Sequence, residues 1–167
     1  MKLPMFNSED YQDHRTVALA ARLHGLPCAR FVEDKYMFSI NLKHMMVTFP
    51  IGKCRPNEGL VDGLIREMRE ELGVTIRAKD ISNQPYCTFT KSYSFTGTPV
   101  KVETNVFCVA DGYGDWLCKS ATNNETAKCG GIFFATIPNA IDIARSTGLK
   151  IADCVMFYKQ YRSERQY

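Results

Sequence analysis

Several marks of a specialised chain are scarce here. Among 167 residues there are one tryptophan and three histidines, and His14, His24 and His44 show no spacing suited to a metal triad. The seven cysteines stand at 28, 54, 87, 108, 118, 129 and 154, and no two form a C-x-x-C pair, so a zinc knuckle is not expected. Their odd number, and apolar settings such as Phe107-Cys108-Val109, point to buried reduced thiols of a cytoplasmic protein. No run approaches the ~18 consecutive apolar residues of a membrane span. The opening MKLPMFNSED turns acidic and polar too soon to be expected as a signal peptide. Neither sign of charge dominates: 21 Lys and Arg against 18 Asp and Glu leave +3, which neither demands nor excludes a nucleic-acid partner. Repeats, low-complexity runs and Pro/Ser-rich linkers are missing as well. What remains is ordinary globular composition, 45% hydrophobic and 23% charged, on a length that suits one domain over residues 1–167.

Apolar patterning predicts strands over 15–23, near 28–32 after a Leu26-Pro27 turn, near 36–42, over 45–49, near 74–78, and over 86–96 and 100–110. Gly97-Thr98-Pro99 suits a hairpin between the last two. The best helix is Glu58–Leu72, because Leu60, Leu64, Ile65, Met68 and Leu72 repeat along one face and Gly73 sits at the C-cap position. Residues 111–128 read as a polar, glycine-marked loop, Gly131–Thr136 as a strand, and 139–146 and 151–162 as helices. Mixed strands and helices in this order argue for an α/β or α+β layered domain.

One helix carries unusual charge. Glu67, Glu70 and Glu71 lie at i, i+3 and i+4, so their carboxylates share a face, and Glu58 is placed at the helix start. Like charges so crowded repel. An ordinary solvated helix would spread them or give each a base. A carboxylate cluster of this kind suits a hard cation such as Mg²⁺, which takes oxygen ligands and keeps substrate phosphates in its shell. Arg66, four residues before Glu70, can pair with a carboxylate and hold its rotamer. Gly52 lets the backbone approach the helix or a phosphate closely.

Together, Gly52, Glu58, Arg66, Glu67, Met68, Glu70, Glu71, Gly73 and Val74 match the pattern G-x5-E-x7-R-E-U-x-E-E-x-G-U, with U bulky and apolar. This segment resembles the Nudix box at every position. Seven fixed letters at roughly 6% usage each coincide by chance on the order of 10⁻⁹ per start. The resemblance covers Gly52 to Val74; elsewhere the chain agrees only in its order of elements. It implies the Nudix fold, an α/β/α sandwich with a mixed β-sheet. It also implies a pyrophosphohydrolase that uses Mg²⁺ or Mn²⁺ to cleave a diphosphate in a nucleoside diphosphate linked to another group. By that resemblance Glu67, Glu70 and Glu71, with the Gly52 carbonyl, are the metal ligands. Arg66 orients a carboxylate, and Glu58 helps structurally or through a metal-bound water. Many family members add an acidic residue from a loop after the box. Here Glu125, before Gly131-Ile132-Phe133-Phe134, resembles it and is the expected general base, with Glu103 next.

Phe49-Pro50-Ile51-Gly52-Lys53 resembles the lead-in to the box in dinucleoside polyphosphate hydrolases and mRNA-decapping relatives more than that of ADP-ribose or nucleoside triphosphate members. Ile51 departs from it by replacing a lysine. Lys53 and Arg55 are candidates for extra substrate phosphates. Tyr36, Phe38, Tyr86, Phe89, Tyr93 and Phe95 are candidates to stack on a base, although most must be core. The expected partner is a small nucleotide, most readily a dinucleoside polyphosphate. The alternatives are capped RNA, for which Lys159, Arg162 and Arg165 offer a little positive charge, and ADP-ribose, NADH or nucleoside triphosphates. A non-catalytic nucleotide sensor is a different class, usually lacking box carboxylates, all of which are present here. Prenyl diphosphate isomerisation occurs on the same box. No membrane partner is expected, and the chain is read as a cytoplasmic monomer or homodimer.

Overall fold

A computed structural model describes residues 12–23, 34–42, 44–95, 97–110, 113–122, 131–151 and 153–165. Nine strands and four α-helices run in the order β1 His14–Ala20, β2 Arg22–Leu23, β3 Lys35–Asn41, β4 Met46–Thr48, β5 Ile51–Lys53, α1 Leu60–Leu72, β6 Cys87–Phe95, β7 Thr98–Cys108, α2 Tyr113–Thr122, β8 Ile132–Thr136, α3 Ile137–Thr147, β9 Lys150–Ile151 and α4 Asp153–Arg165 among the described residues.

Two mixed sheets form the middle layer. The first has the order β5-β1-β7-β6, with β1 and β7 parallel and the other pairs antiparallel. In the second the order is β2-β3-β4-β9, with β4 and β9 parallel and β8 antiparallel to β3. They meet at Ala21, whose carbonyl accepts from the Met37 amide at 3.1 Å.

β1 explains the layering. Its run Val17-Ala18-Leu19-Ala20 is buried on both faces, as expected of a strand covered by helices on both sides. Val17 and Leu19 face one way and join Leu64, Met68 and Leu72 of α1 and Leu117 of α2. Ala18 and Ala20 face the other way and join Ala140 and Ala144 of α3 and Cys154 and Phe157 of α4. Each large buried apolar side chain contributes about 1.5–3 kcal/mol relative to exposure. The result is the expected α/β/α sandwich.

Several local expectations change. Residues 113–122 form α2 rather than a loop. Gly114 is not there for flexibility: a Cβ on it would collide with the Arg22 carbonyl, so glycine lets α2 lie against β2. Residues 74–78 keep the period-two pattern, with Val74 and Ile76 buried, yet they belong to no strand. The alternation there records burial alone. The short strands β5 and β9 were too brief for patterning to reveal. The Leu26-Pro27 turn and the strand near 28–32 lie outside the described residues.

Candidate functional site

α1 starts at Leu60 with Gly59 as its N-cap, so Glu58 precedes the helix instead of opening it. Gly73 ends it in the left-handed conformation (φ 67°), its amide reaching the Arg69 carbonyl at 2.9 Å. The loop 54–59 leaves β5 and returns as α1, which places the helix beside the edge strand from which it came.

Arg66 is the hub. Its Nε donates to Glu58 Oε2 at 2.8 Å and its Nη2 to Glu58 Oε1 at 2.8 Å, a bidentate fork. Nη2 also reaches the Lys53 carbonyl at 2.9 Å, tying the helix to β5. Nη1 donates to Glu67 Oε1 at 2.9 Å and to Glu70 Oε2 at 3.1 Å. Glu58 closes its own loop by accepting from the Arg55 amide at 3.1 Å. The Arg66 guanidinium, reinforced by that amide, holds the Glu58 carboxyl down to about 2. Glu58, first among its carboxylate partners, pushes the Arg66 pKa up in turn.

Glu67 differs from its neighbours. It is 7% exposed, and burial pushes its carboxyl up; Arg66 opposes that shift, while Glu70 and Glu71 add to it. Glu70 is exposed and Glu71 is half-buried. Gly52 lies directly against Glu67, and a Cβ at that position would overlap its carboxylate. The glycine of the box thus makes room for the carboxylate and leaves the strand backbone beside it. Among the described residues no three His, Cys, Asp or Glu side chains are already gathered round a cation-sized point. Arg66 is their present counter-cation. Nevertheless the donor set fits a hard divalent ion: a buried carboxylate short of positive charge, two neighbouring carboxylates on the same helix flank, and a main chain with no side chain in the way.

An open groove of about 420 Å³ is lined by Asp13, His14, Arg15, Thr90, Lys101 and Glu103, and Arg15 links it to the loop before α1 by donating to the Glu58 carbonyl at 2.7 Å. Glu103 is the register partner of Arg15, two residues along from Val17, which packs under α1. Arg15 and Glu103 therefore leave the sheet on the α1 side. Glu103 accepts from the Asn105 amide nitrogen at 3.0 Å. Patterning along β1 gave no role to Arg15; its only signal was a charged residue at the head of an apolar strand.

Other expected site residues fall elsewhere. Lys53 pairs with Thr16, on the face opposite Gly52 and Val17, while Arg55 is exposed in the loop. Glu125 lies outside the described residues. Tyr36 and Phe38 are buried in the α3/α4 layer, and Tyr86 and Phe89 pack against it, across the sheet from the box. They are core, not a base platform beside the glutamates. For Tyr93 and Phe95 the side chains lie outside the description. Lys159 is exposed on α4, also in the far layer, and the Arg162 and Arg165 side chains are not described.

No protein-family model matches the sequence, and no curated protein does. Solved structures do. A NUDIX hydrolase from Nitrosomonas europaea superposes with a TM-score of 0.58 at 15% identity, covering 92% of this chain and 90% of that one. The fold is that of the Nudix hydrolases. The E. coli dihydroneopterin triphosphate pyrophosphohydrolase (TM-score 0.53, 9% identity) covers 77% of this chain and 86% of its own. A C. elegans Ap4A hydrolase binary complex (TM-score 0.50, 17% identity) covers 79% and 86%. Two hydrolases with such different named substrates share this fold, so the fold does not choose between substrates.

Proposed function

We propose that the chain is a divalent-metal-dependent Nudix pyrophosphohydrolase that cleaves a phosphoanhydride in a small nucleotide. The observation that carries this reading is Glu67, buried against Gly52 and bridged with Glu70 by one guanidinium, within the Nudix fold. Glu67, Glu70, Glu71 and the Gly52 carbonyl would hold Mg²⁺ or Mn²⁺. A cation there supplies charge neutralisation for the phosphates and a lower pKa for the attacking water. Arg66 keeps Glu67 and Glu70 apart and aligned, and Glu58 keeps Arg66 in place. The groove, which Arg15 connects to the loop of the box, gives a polyphosphate room to extend, with Lys101 supplying positive charge and Arg55 exposed in the loop. For the proton from water, Glu125 and Glu103 are the two carboxylates to test. Glu103 has the advantage of lining the groove.

Within this class a dinucleoside polyphosphate is the preferred substrate, on the Phe49–Lys53 lead-in. Capped RNA, ADP-ribose, NADH and nucleoside triphosphates form the rest of the panel. Among the described residues no helix is long and apolar enough to cross a membrane. We place the protein in the cytoplasm as a monomer or homodimer. The deciding experiment offers each substrate with Mg²⁺ or Mn²⁺ and locates the attacked phosphorus with ¹⁸O-water. Metal-dependent release of a mononucleotide from diadenosine polyphosphate is expected. Tight nucleotide binding without turnover on any substrate would favour the sensor class instead.

A further inference from the structure

Beyond the box, Arg15 stands out. It lies in β1, 40 residues before the loop that it grips. Its Nη2 donates to the carbonyls of Glu58 at 2.7 Å and Arg55 at 3.2 Å, with Pro56 at the limit, 3.5 Å. The Cys54 amide donates to the Arg15 carbonyl at 2.9 Å, carrying the β1–β5 ladder one step past Lys53. A loop that turns several carbonyls inward needs donors for them, and a planar guanidinium serves converging acceptors better than an ammonium.

The consequence runs beyond the loop. Arg15 holds Glu58 by its main chain, while Arg66 holds the same residue by its side chain. Arg66 in turn spans Glu67 and Glu70. We propose that Arg15 is a positioning residue for the metal carboxylates, acting through the loop 54–58 and Glu58 on Arg66. This inference rests on the hydrolase reading for its activity arm, but two of its measurements do not require turnover.

The test compares wild type with Arg15→Met, Arg15→Lys, Glu58→Gln and the Arg15→Met/Glu58→Gln double variant. Without metal, amide exchange at Cys54, Arg55 and Glu58 should quicken at least roughly 10-fold in Arg15→Met, because the loop opens locally. Mn²⁺ affinity, read from the electron-paramagnetic signal of free Mn²⁺, should weaken about 10–100-fold, the usual effect of losing a residue that orients ligands. In the hydrolysis assay kcat should fall by a similar factor while KM moves less. Arg15→Met should add little to Glu58→Gln, since both act along one path. A residue that only stabilised the fold would lower the melting temperature and leave Mn²⁺ affinity and the kcat-to-KM split unmoved.

Folded Arg15→Met with wild-type loop exchange and Mn²⁺ affinity overturns the proposal, and so do losses that multiply in the double variant. Should Arg15→Met fail to fold, Arg15→Lys carries the same measurements with smaller expected losses; if it matches wild type, the proposal fails. A wild-type chain that hydrolyses no anhydride, while Arg15→Met still loses Mn²⁺ affinity and loop protection, sinks the hydrolase reading and leaves this one standing. A wild-type chain that binds no Mn²⁺ overturns both.

Discussion

Two arginine clusters stand out among the described residues, and the partners they gather differ. Arg22 meets Asp34 at 3.3 Å and the Tyr161 hydroxyl at 3.1 Å, and Tyr161 donates to Asp34 at 3.1 Å. There a guanidinium meets a carboxylate and a neutral phenol, and these contacts fasten α4 to the head of β3. Arg66, by contrast, faces three carboxylates: Glu58, Glu67 and Glu70. Carboxylates crowded round one guanidinium repel one another, and buried Glu67 feels it most, with Glu70 and Glu71 both opposing its charge. On the function we propose, the carboxylates gathered at Arg66 await a further cation, whereas the Arg22 contacts join elements of the fold.

Removing metal should break the comparison most severely. Chelation is expected to abolish hydrolysis, with Mg²⁺ or Mn²⁺ restoring it, and added Mg²⁺ should raise the melting temperature of the wild type. Hydrolysis that survives exhaustive chelation would mean that the gathered carboxylates serve something other than a metal. Arg66→Met comes next. Removing this guanidinium leaves buried Glu67 without its described cationic partner and should cost about 3–5 kcal/mol, as when one partner of a buried pair is removed. Part of that loss should return with Mg²⁺, which binds only the folded chain and so stabilises it by mass action. Denaturant titrations with and without Mg²⁺ decide this, and an Arg66→Met loss indifferent to Mg²⁺ would show that the cluster holds no cation.

Glu67→Gln keeps the size and the oxygen acceptor for Arg66 but removes charge. Turnover should fall about 10²–10³-fold, or ~2.7–4 kcal/mol of transition-state stabilisation. Near-normal turnover would remove Glu67 from the ligand set. Arg22→Met is the control in the other cluster. Losing hydrogen bonds to one charged and one neutral partner should cost about 1.5–3 kcal/mol, with no dependence on Mg²⁺.

The contrast between the clusters was half legible in sequence. Arg66, Glu67 and Glu70 lie within five residues of α1, so helical periodicity is enough to bring them together, while Glu58, which precedes the helix, is legible only from the spacing of the box. Gly73 at the end of α1 was legible for the same reason. Arg15 was not, because its partners lie 40 and more residues away and no spacing rule links a strand's first residue to a distant loop's carbonyls. Nor was the placing of Tyr36 and Phe38: alternation predicts that one face of a strand is buried, not which layer it joins. Local pattern makes α2 a loop because glycine is ambiguous, and Gly114 answers to the Arg22 carbonyl rather than to its own segment.

The smallest effect concerns acid. Glu58 is held down to about 2 in the folded chain, against an ordinary value of 4.5. A carboxyl lowered by folding contributes stability that is complete above 4.5 and lost as pH falls towards 2. Glu67 is pushed up, which reverses the sign: its charge is a burden at neutral pH, relieved as acid protonates it. The two carboxylates of one cluster therefore tilt the metal-free stability curve in opposite directions. Glu58→Gln should lose stability at pH 7 but little near pH 2, flattening the acid limb. Glu67→Gln should gain a little at pH 7 and nothing in strong acid, steepening it. Solvent screening keeps the Glu58 effect to about 1 kcal/mol or less. Denaturant midpoints between pH 2 and 7, in chelator, measure both slopes. Equal slopes in the two variants would show that Arg66 shares its charge evenly, and that Glu67 is not the carboxylate awaiting a cation.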